Sequence, residues 1–348
     1  MSKKPVLVLK IGTAAITHNN GELHEEVLQK ICQQVSVLQT KYNIILVSSG
    51  AVGAGRKYLN FFSGKLIEKK AAAAIGNPIL IQKYREFLSS CGIAVAQALC
   101  ERHHFSNRDQ FLRLKGTFEE LWKNNIIPIV NENDVISDRQ LKFSDNDEMA
   151  TLLAAGFDAD KLLFGSSVEG LLNGDQLVKK IEDFDEKIFQ LAHKGTSEFG
   201  LGGMISKLHC AKLATNLGTH VVIFNVKKTD NILRAEQYET GTFCLAKTCN
   251  ISAHRKWMAT GSLPSGKITI DVGAGEALSN RKSLLSVGVQ IVEGNFKKGD
   301  VVEILIAHQE QPDKVFAVAR TKISSKEIEA LKTQKNIEIA HANEIVIF

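Results

Sequence analysis

The chain has 348 residues, of which 44% are hydrophobic and 23% are charged, and its formal net charge is +5. This length allows two domains, the composition is that of an ordinary globular protein, and so mild a positive charge does not imply nucleic-acid binding. No apolar run approaches the roughly 18 residues that a membrane-spanning helix requires. Six scattered cysteines and the absence of a signal peptide lead us to expect reduced thiols and a cytoplasmic location.

Short apolar runs alternate with helical patterns over residues 1–250. The predicted strands are 5–11, 44–47, 93–99, 126–130, 161–164 and 220–224. The predicted helices are 23–38, 66–89 with a break at 76–78, and 109–123, and another helical pattern begins after residue 147. Such alternation predicts an α/β fold with an open, mostly parallel sheet sandwiched by helices.

The pattern changes near residue 250. A polar connector rich in glycine and serine leads into short β-like runs that are separated by turn signals, and only 326–333 has a helical pattern there. We therefore predict three parts: a catalytic α/β domain at 1–250, a linker at 251–264, and a small, mostly-β domain at 265–348.

Two polar clusters lie close together around the strand 126–130. The first, 131–134, reads Asn-Glu-Asn-Asp and follows the strand directly, and the second, 144–147, reads Ser-Asp-Asn-Asp and precedes a helical pattern. Asparagine and aspartate also form turns and helix caps, which is the simpler explanation of either cluster alone. Because ligands bind at the carboxyl ends of strands in open α/β sheets, the two clusters together favour a pocket for a small polar molecule.

Three segments of small residues could bind an anion. They are 10–13 (Lys-Ile-Gly-Thr), 49–55, and 200–207, where a glycine loop leads into a helix that carries Lys207. Backbone N–H groups and an ammonium both stabilise phosphate oxygens, although tight packing also explains 49–55. Neither a Walker motif nor a dinucleotide-binding glycine motif is present. Lysines and a carboxylate without a nucleophile–base pair favour phosphoryl transfer.

The same segments resemble the glutamate 5-kinases of the amino acid kinase family. The resemblance covers residues 5 to about 250 and rests on 10–13, 48–52, 73–76, 128–134, 145–147 and 202–207. The tail is similar to a PUA domain through 266–271, 283–285 and 294–300.

That resemblance implies ATP-dependent phosphorylation of the side-chain carboxylate of L-glutamate, the first step of proline biosynthesis, with Mg²⁺ bridging the phosphates. The implied catalytic residues are Lys10, Lys207 and Asp147. The implied glutamate-binding residues are Ser49, Asn131, Asp134, Asp145 and Asn146. The implied ATP-binding residues are Lys10, Gly12, Ser166, Ser167, Leu201, Gly202, Gly203, Met204, Ile205, Ser206 and Lys207. It also implies a homo-oligomer, a dimer or tetramer, and inhibition by proline, and we predict no metal-binding side chain and no membrane contact.

The segment after the strand 161–164 departs from the family pattern. The family usually has Thr-Asp there, whereas this chain has Ser166 and Ser167. A serine hydroxyl can replace that of threonine, but Ser167 cannot supply the carboxylate, so nucleotide binding or base preference is expected to differ.

Two other functions remain open on the sequence alone. One is a sibling kinase that acts on N-acetylglutamate, aspartate, carbamate or UMP, against which the cluster 131–134 and the β-rich tail argue. The other is an RNA-binding protein that acts through the tail, where basic pairs occur at 281–282 and 297–298. A solvated surface is the simpler explanation of those charges, and a steep salt dependence would reveal phosphate contacts.

Overall fold

The computed structural model describes most of the chain, which divides into two units. The described residues are 4–18, 20–101, 104–105, 108–136, 145–193, 201–248, 265–307, 315–331 and 337–347. The first unit comprises residues 1–104 and 108–247, and the second comprises 105–107 and 248–348. The predicted linker lies outside the described residues, so the proposed domain boundaries stay a prediction.

A single sheet of eight strands runs through the described part of the first unit, in the order β3-β4-β2-β1-β5-β9-β10-β8. Its strands are β1 (Val6–Ile11), β2 (Asn43–Ser48), β3 (Val95–Cys100), β4 (Ile127–Glu132), β5 (Lys161–Ser166), β8 (Lys180–Ile181), β9 (His220–Asn225) and β10 (Thr242–Cys244). Neighbouring strands are parallel except for β9 and β10. The six predicted strands therefore exist, and the mostly parallel sheet is confirmed. A short hairpin, β6 (Leu172–Asn173) and β7 (Gln176–Leu177), pairs separately.

Helices flank this sheet. They are α1 (Thr13–Ile16), α2 (Glu25–Gln39), α3 (Ala51–Arg56), α4 (Leu66–Ser89), α5 (Arg108–Lys123), α6 (Asp145–Gly156), α7 (Glu186–His193), α8 (Leu201–Asn216) and α9 (Asn231–Glu236). All six residues of the central strand β1 are buried, as expected for a parallel strand that is covered on both faces.

The predicted break at 76–78 is wrong, because α4 continues through Pro78. The reason lies in the contact between α3 and α4. A Cβ on Gly55 would lie 1.9 Å from the carbonyl oxygen of Ala72, and a Cβ on Gly76 would lie 1.8 Å from that of Ala51. The two backbones therefore touch, and this packing holds the helix together where proline removes one hydrogen-bond donor. It also explains the small residues of the segment 49–55.

A buried ion pair lies at the opposite end of the sheet from the predicted pocket. The carboxylate of Glu236 accepts hydrogen bonds from the Lys161 ammonium at 2.8 Å and from the Tyr42 hydroxyl at 2.6 Å. The Lys161 ammonium also lies 4.6 Å from the centre of the Tyr238 ring. Burial alone would raise the pKa of Glu236, but Lys161 and Tyr42 outweigh it and the pKa is lowered.

We expect Glu236→Ala to reduce the free energy of unfolding by about 3 kcal/mol, because it leaves the Lys161 charge without its counter-charge. Urea denaturation followed by circular dichroism measures this, with the exposed Glu239→Ala as the matched control at under about 0.5 kcal/mol. Since the folded pKa of Glu236 is depressed, its contribution is present above the unfolded value of about 4.3 and is lost as the pH falls through the folded pKa. An equal difference at pH 7 and pH 3 would contradict this origin.

The described part of the second unit is mostly β, as predicted. Its larger sheet has the order β13-β11-β14-β15-β17, and β12 pairs with β16. The strands are β11 (Gly266–Ile270), β12 (Leu284–Leu285), β13 (Val289–Gly294), β14 (Val301–Ile306), β15 (Ala317–Arg320), β16 (Glu338–Ala340) and β17 (Ile345–Ile347). They enclose a separate hydrophobic core.

The prediction of a single helix in the tail is wrong. Besides α11 (Ser325–Leu331) there is α10 (Val272–Ser279), whose N-cap Asp271 accepts a hydrogen bond from the backbone N–H of Ala274 at 2.7 Å. The two glycines of α10 lower its helix propensity, and one of them is needed for packing: a Cβ on Gly275 would lie 2.7 Å from the side chain of Ile306. None of the helices in the described ranges combines the length and the apolar character of a membrane span.

Candidate active site

Three parallel strands end at the same edge of the sheet, and the predicted site lies there. Lys10 of β1 is paired with Val47 of β2, and Val47 is paired with Val130 of β4. Ser48 and Asn131, each one residue further along, are therefore level with the end of β1. Adjacent strands lie about 4.8 Å apart, so β1 and β4 are separated by roughly 10 Å with β2 between them.

A buried carboxylate joins the two lysines that were predicted to act together. The Oδ1 atom of Asp147 lies 2.6 Å from the Lys10 ammonium, and its Oδ2 atom lies 3.0 Å from the Lys207 ammonium. Asp147 is fully buried and the Lys207 side chain is 12% exposed. Lys10 comes from β1, Asp147 from the first turn of α6 and Lys207 from the second turn of α8, so the cluster is formed only by the tertiary fold.

Burial and neighbouring charges shift the pKa values of Lys10 and Asp147. Burial lowers the pKa of Lys10, the charge of Lys207 lowers it further, and Asp147 opposes both. Burial would raise the pKa of Asp147, but the two lysines outweigh it and the pKa is lowered. Two lysines and one aspartate give the cluster a formal net charge of +1, and a site of net positive charge attracts an anion.

A chain of hydrogen-bonded side chains lies beside the charged cluster. The Nδ2 atom of Asn146 donates to Ser49 Oγ at 3.0 Å and to Asn131 Oδ1 at 2.9 Å. The Nδ2 atom of Asn131 donates in turn to Asn77 Oδ1 at 2.8 Å. Three residues predicted for the substrate pocket are thus connected, because Ser49 and Asn131 are both hydrogen-bonded to Asn146, and Asn77 joins them through Asn131.

The first turns of α8 form the other side of the charged cluster. The Lys207 ammonium lies 3.5 Å from the carbonyl oxygen of Gly203, within the same helix. A Cβ on Gly203 would lie 4.0 Å from that ammonium, and a Cβ on Gly12 would lie 3.7 Å from the Lys10 ammonium. Both glycines therefore keep side-chain atoms away from the positive charges. The Ser206 hydroxyl is buried and has no hydrogen-bond partner among the described residues.

The remaining predicted residues of this helix are Leu201, Gly202, Met204 and Ile205, all within its first two turns. The backbone N–H groups of a first helical turn have no partner inside the helix, and the helix dipole favours negative charge there. This end of α8 is therefore suited to phosphate oxygens.

The sequence matches the profile described as "Amino acid kinase family" over residues 5–225, and that of the PUA domain over residues 266–342. This chain belongs to the amino acid kinase family. The match covers more than half of the chain and includes every residue of the charged cluster and of the hydrogen-bonded chain beside it.

This amino acid kinase is similar over nearly its whole length to proteins named glutamate 5-kinase. The one from Thermoanaerobacter sp. (strain X514) is 35% identical over 96% of this chain and 92% of its own length. The one from Streptococcus suis (strain 05ZYH33) is 33% identical over 94% of both chains. A solved structure of isopentenyl phosphate kinase covers 69% of this chain and 99% of its own at 18% identity and a TM-score of 0.49, which is too distant to support an inference. The resemblance to glutamate 5-kinases with a PUA domain is confirmed.

The segment that departs from the family pattern forms a turn after β5 in this amino acid kinase. The Ser166 hydroxyl donates to the carbonyl oxygen of Val168 at 3.0 Å and accepts from its N–H at 3.2 Å, so it stabilises the turn after β5. Ser167 is exposed. The carboxylate of Glu169 accepts a hydrogen bond from Asn225 at 3.0 Å and pairs with Lys228 at 2.9 Å. A negative charge is therefore present two residues beyond Ser167, which the sequence pattern did not indicate.

Two predicted substrate residues are only partly described in this amino acid kinase. Asp134 lies two residues after β4 and is 9% exposed. Asp145 is the first residue of α6, and the prediction for its side chain lies outside the described residues. The roles assigned to both stay predictions.

Proposed function

We propose that this chain transfers the γ-phosphoryl group of ATP to the side-chain carboxylate of L-glutamate, giving L-glutamyl 5-phosphate for proline biosynthesis. The observation that carries the proposal is the Lys10–Asp147–Lys207 cluster beside a set of amides and a hydroxyl at the same sheet edge, in a relative of the glutamate 5-kinases.

Charge neutralisation is the main task of the protein in this reaction. The acceptor carboxylate is already an anion and attacks the γ-phosphorus directly, while the bond from that phosphorus to the oxygen shared with the β-phosphate breaks and ADP leaves, so no general base is needed. Negative charge on the transferring group meets the Lys10 and Lys207 ammoniums, which are held in fixed positions by Asp147. Groups that are pre-oriented in a buried site stabilise such charge without reorganising during the reaction.

The phosphates of ATP would be bound at the start of α8. The N–H groups of its first turn, which have no acceptor within the helix, the Ser206 hydroxyl and the two lysines together favour an anionic ligand. Gly12 and Gly203 leave room next to both ammoniums, where any larger side chain would compete with phosphate oxygens.

Magnesium would be held by the nucleotide rather than by side chains. The described residues contain no group of three histidine, cysteine, aspartate or glutamate residues that could hold a metal ion. Asp147 already contacts two lysines. Mg²⁺ usually binds substrate phosphates and several waters together with one or two carboxylates, so the absence of a protein ligand stays a prediction.

The experiment that tests the function traps the acyl phosphate with hydroxylamine and measures the hydroxamate. We expect a product that requires both ATP and L-glutamate. A panel of N-acetylglutamate, aspartate, carbamate and UMP in a coupled ATPase assay serves as the control. Turnover of one of those acceptors and not of glutamate would replace this function with that of a sibling kinase.

Asp134→Ala should raise KM for glutamate by about 10- to 150-fold and leave KM for ATP nearly unchanged. A carboxylate at this position can pair with the substrate's α-ammonium, and a hydrogen bond to a charged group contributes roughly 1.5–3 kcal/mol. Steady-state kinetics on both substrates measure this, with the exposed Asp175→Ala as control. An increase confined to ATP, or ready use of N-acetylglutamate by the intact enzyme, would remove Asp134 from the substrate pocket.

Other expectations about partners and location stay predictions. They are the cytoplasmic location, the homo-oligomeric state and inhibition by proline. RNA binding through the second unit also stays a prediction, because nothing in the described residues favours it over a solvated basic surface.

A further inference from the structure

The orientations of the Asn131 and Asn146 amides are determined by backbone groups. The N–H of Glu132 donates to Asn131 Oδ1 at 2.9 Å, so this atom must be the amide oxygen. The carbonyl oxygen of Ser48 accepts from Asn146 Nδ2 at 3.3 Å, so that atom must be the amide nitrogen. A carbonyl oxygen cannot donate and a backbone N–H cannot accept, which excludes the flipped orientation at both residues.

The orientation of Asn77 follows from that of Asn131. The Asn131 amide uses its oxygen for Glu132 and Asn146, so its nitrogen donates to Asn77 at 2.8 Å. The Asn77 atom that accepts this hydrogen bond is therefore Oδ1. Its Nδ2 atom is buried and has no hydrogen-bond partner among the described residues.

The chain of amides thus presents one donor and one acceptor. The donor is Asn77 Nδ2 and the acceptor is Asn146 Oδ1, which is likewise buried without a partner among the described residues. Asn77 is only 5% exposed. Buried polar groups almost always have a hydrogen-bond partner. Both atoms therefore indicate a ligand that offers an acceptor to Asn77 Nδ2 and a donor or cation to Asn146 Oδ1.

Asn77 is positioned rigidly enough to select a ligand. It lies in α4, next to Gly76, whose backbone is in contact with α3. Its oxygen is held by Asn131, so the nitrogen cannot rotate away without breaking that hydrogen bond.

We propose that Asn77 is a substrate-positioning residue whose Nδ2 atom donates to the α-carboxylate of the bound amino acid. The inference rests on the proposed function and deepens it. The reacting carboxylate must lie beside Lys10 on β1, whereas Asn77 contacts Asn131 at the end of β4, and β2 lies between these two strands. Asn77 Nδ2, on the β4 side of the site, therefore donates to the carboxylate that does not react.

The variant that tests this is Asn77→Asp. It keeps an oxygen to accept the hydrogen bond from Asn131 and replaces the free donor with an acceptor that repels a carboxylate. We expect KM for glutamate to rise by about 10- to 150-fold, which is the loss of affinity typical of removing one hydrogen bond to a charged group. KM for ATP should change less than twofold or so.

A second substrate separates positioning from a purely structural role. In glutamic acid α-amide the α-carboxylate is replaced by a carboxamide, which can donate to the new carboxylate of Asn77→Asp. The intact enzyme should prefer glutamate over this amide, and the variant should lose or reverse the preference in kcat/KM. Asn43→Asp at the opposite end of β2 is the matched control and should leave the preference unchanged.

Each outcome has one meaning. A lower melting temperature with an unchanged preference and unchanged KM for glutamate would make Asn77 a structural residue, or one paired only with water, and would overturn the inference. If the intact enzyme forms hydroxamate from glutamate, this outcome for the variant overturns only the role of Asn77 and leaves the proposed function in place. If the intact enzyme forms none, the proposed function fails first, whatever the variants do.

Discussion

Replacing Lys207 with alanine should lower kcat about 10²- to 10³-fold while KM for glutamate changes little. The Lys207 ammonium lies 3.0 Å from Asp147, which also contacts Lys10, and Lys207 belongs to the second turn of α8. Its attraction to the phosphoryl group is strongest in the transition state, when negative charge redistributes on that group. Losing one such contact typically lowers kcat about 10²- to 10³-fold. Lys10→Ala should behave in the same way. Steady-state kinetics by the hydroxamate assay measure both parameters.

The control for Lys207→Ala is Lys123→Ala, since Lys123 is 71% exposed and contacts only its helix neighbour Glu120 among the described ion pairs. It should leave kcat unchanged. Near-normal turnover with a raised KM in Lys207→Ala would instead show that this lysine binds the ground state of ATP and the transition state equally.

The pH dependence gives a second readout for the same pair. Burial lowers the pKa of Lys10, and the charge of Lys207 lowers it further. The kcat/KM of the intact enzyme, which reports groups of the free enzyme, should therefore fall on the basic side below the ordinary lysine value of about 10.4. In Lys207→Ala one cause of the depression is gone, so the basic limb should move to higher pH. A shift to lower pH would contradict the geometry of the cluster.

Long, buried strands were predictable because their sequences are short apolar runs bounded by polar residues. The strands β8 and β10, with two and three residues, carry too little pattern to be recognised. The continuity of α4 was not predictable either, because Gly76 and Pro78 favour a break locally and only contact with α3 makes them compatible with a helix.

The site was predictable in composition but not in arrangement. Lys10, Asp147 and Lys207 are far apart in sequence. The tertiary fold places the end of β1 next to the starts of α6 and α8, and only this brings both ammoniums within 3.0 Å of the Asp147 carboxylate. Asn77 carried no usable signal, because an asparagine before a proline is typical of a turn. Its role depends on a hydrogen bond to Asn131, 54 positions away.

Replacing Asp147 with asparagine should have the largest effect on both activity and folding. The side chain keeps its shape, but the two ammoniums lose the counter-charge that they share in a buried site. Removing one partner of a buried ion pair costs about 3–5 kcal/mol of stability. Because both lysines are then free to separate, kcat should fall by at least the 10²- to 10³-fold expected for either lysine alone.

Two measurements connect these effects of Asp147→Asn to charge rather than to packing. Inorganic pyrophosphate should raise the melting temperature of the variant more than that of the intact protein, because an anion replaces the missing carboxylate. The pKa of Asp147 is lowered in the folded state, so its contribution to stability is present above the unfolded value of about 3.9 and is lost as the pH falls through the folded pKa. The stability difference between the two proteins should therefore shrink in strong acid. A difference that is independent of both pyrophosphate and pH would mean that Asp147 acts through packing alone.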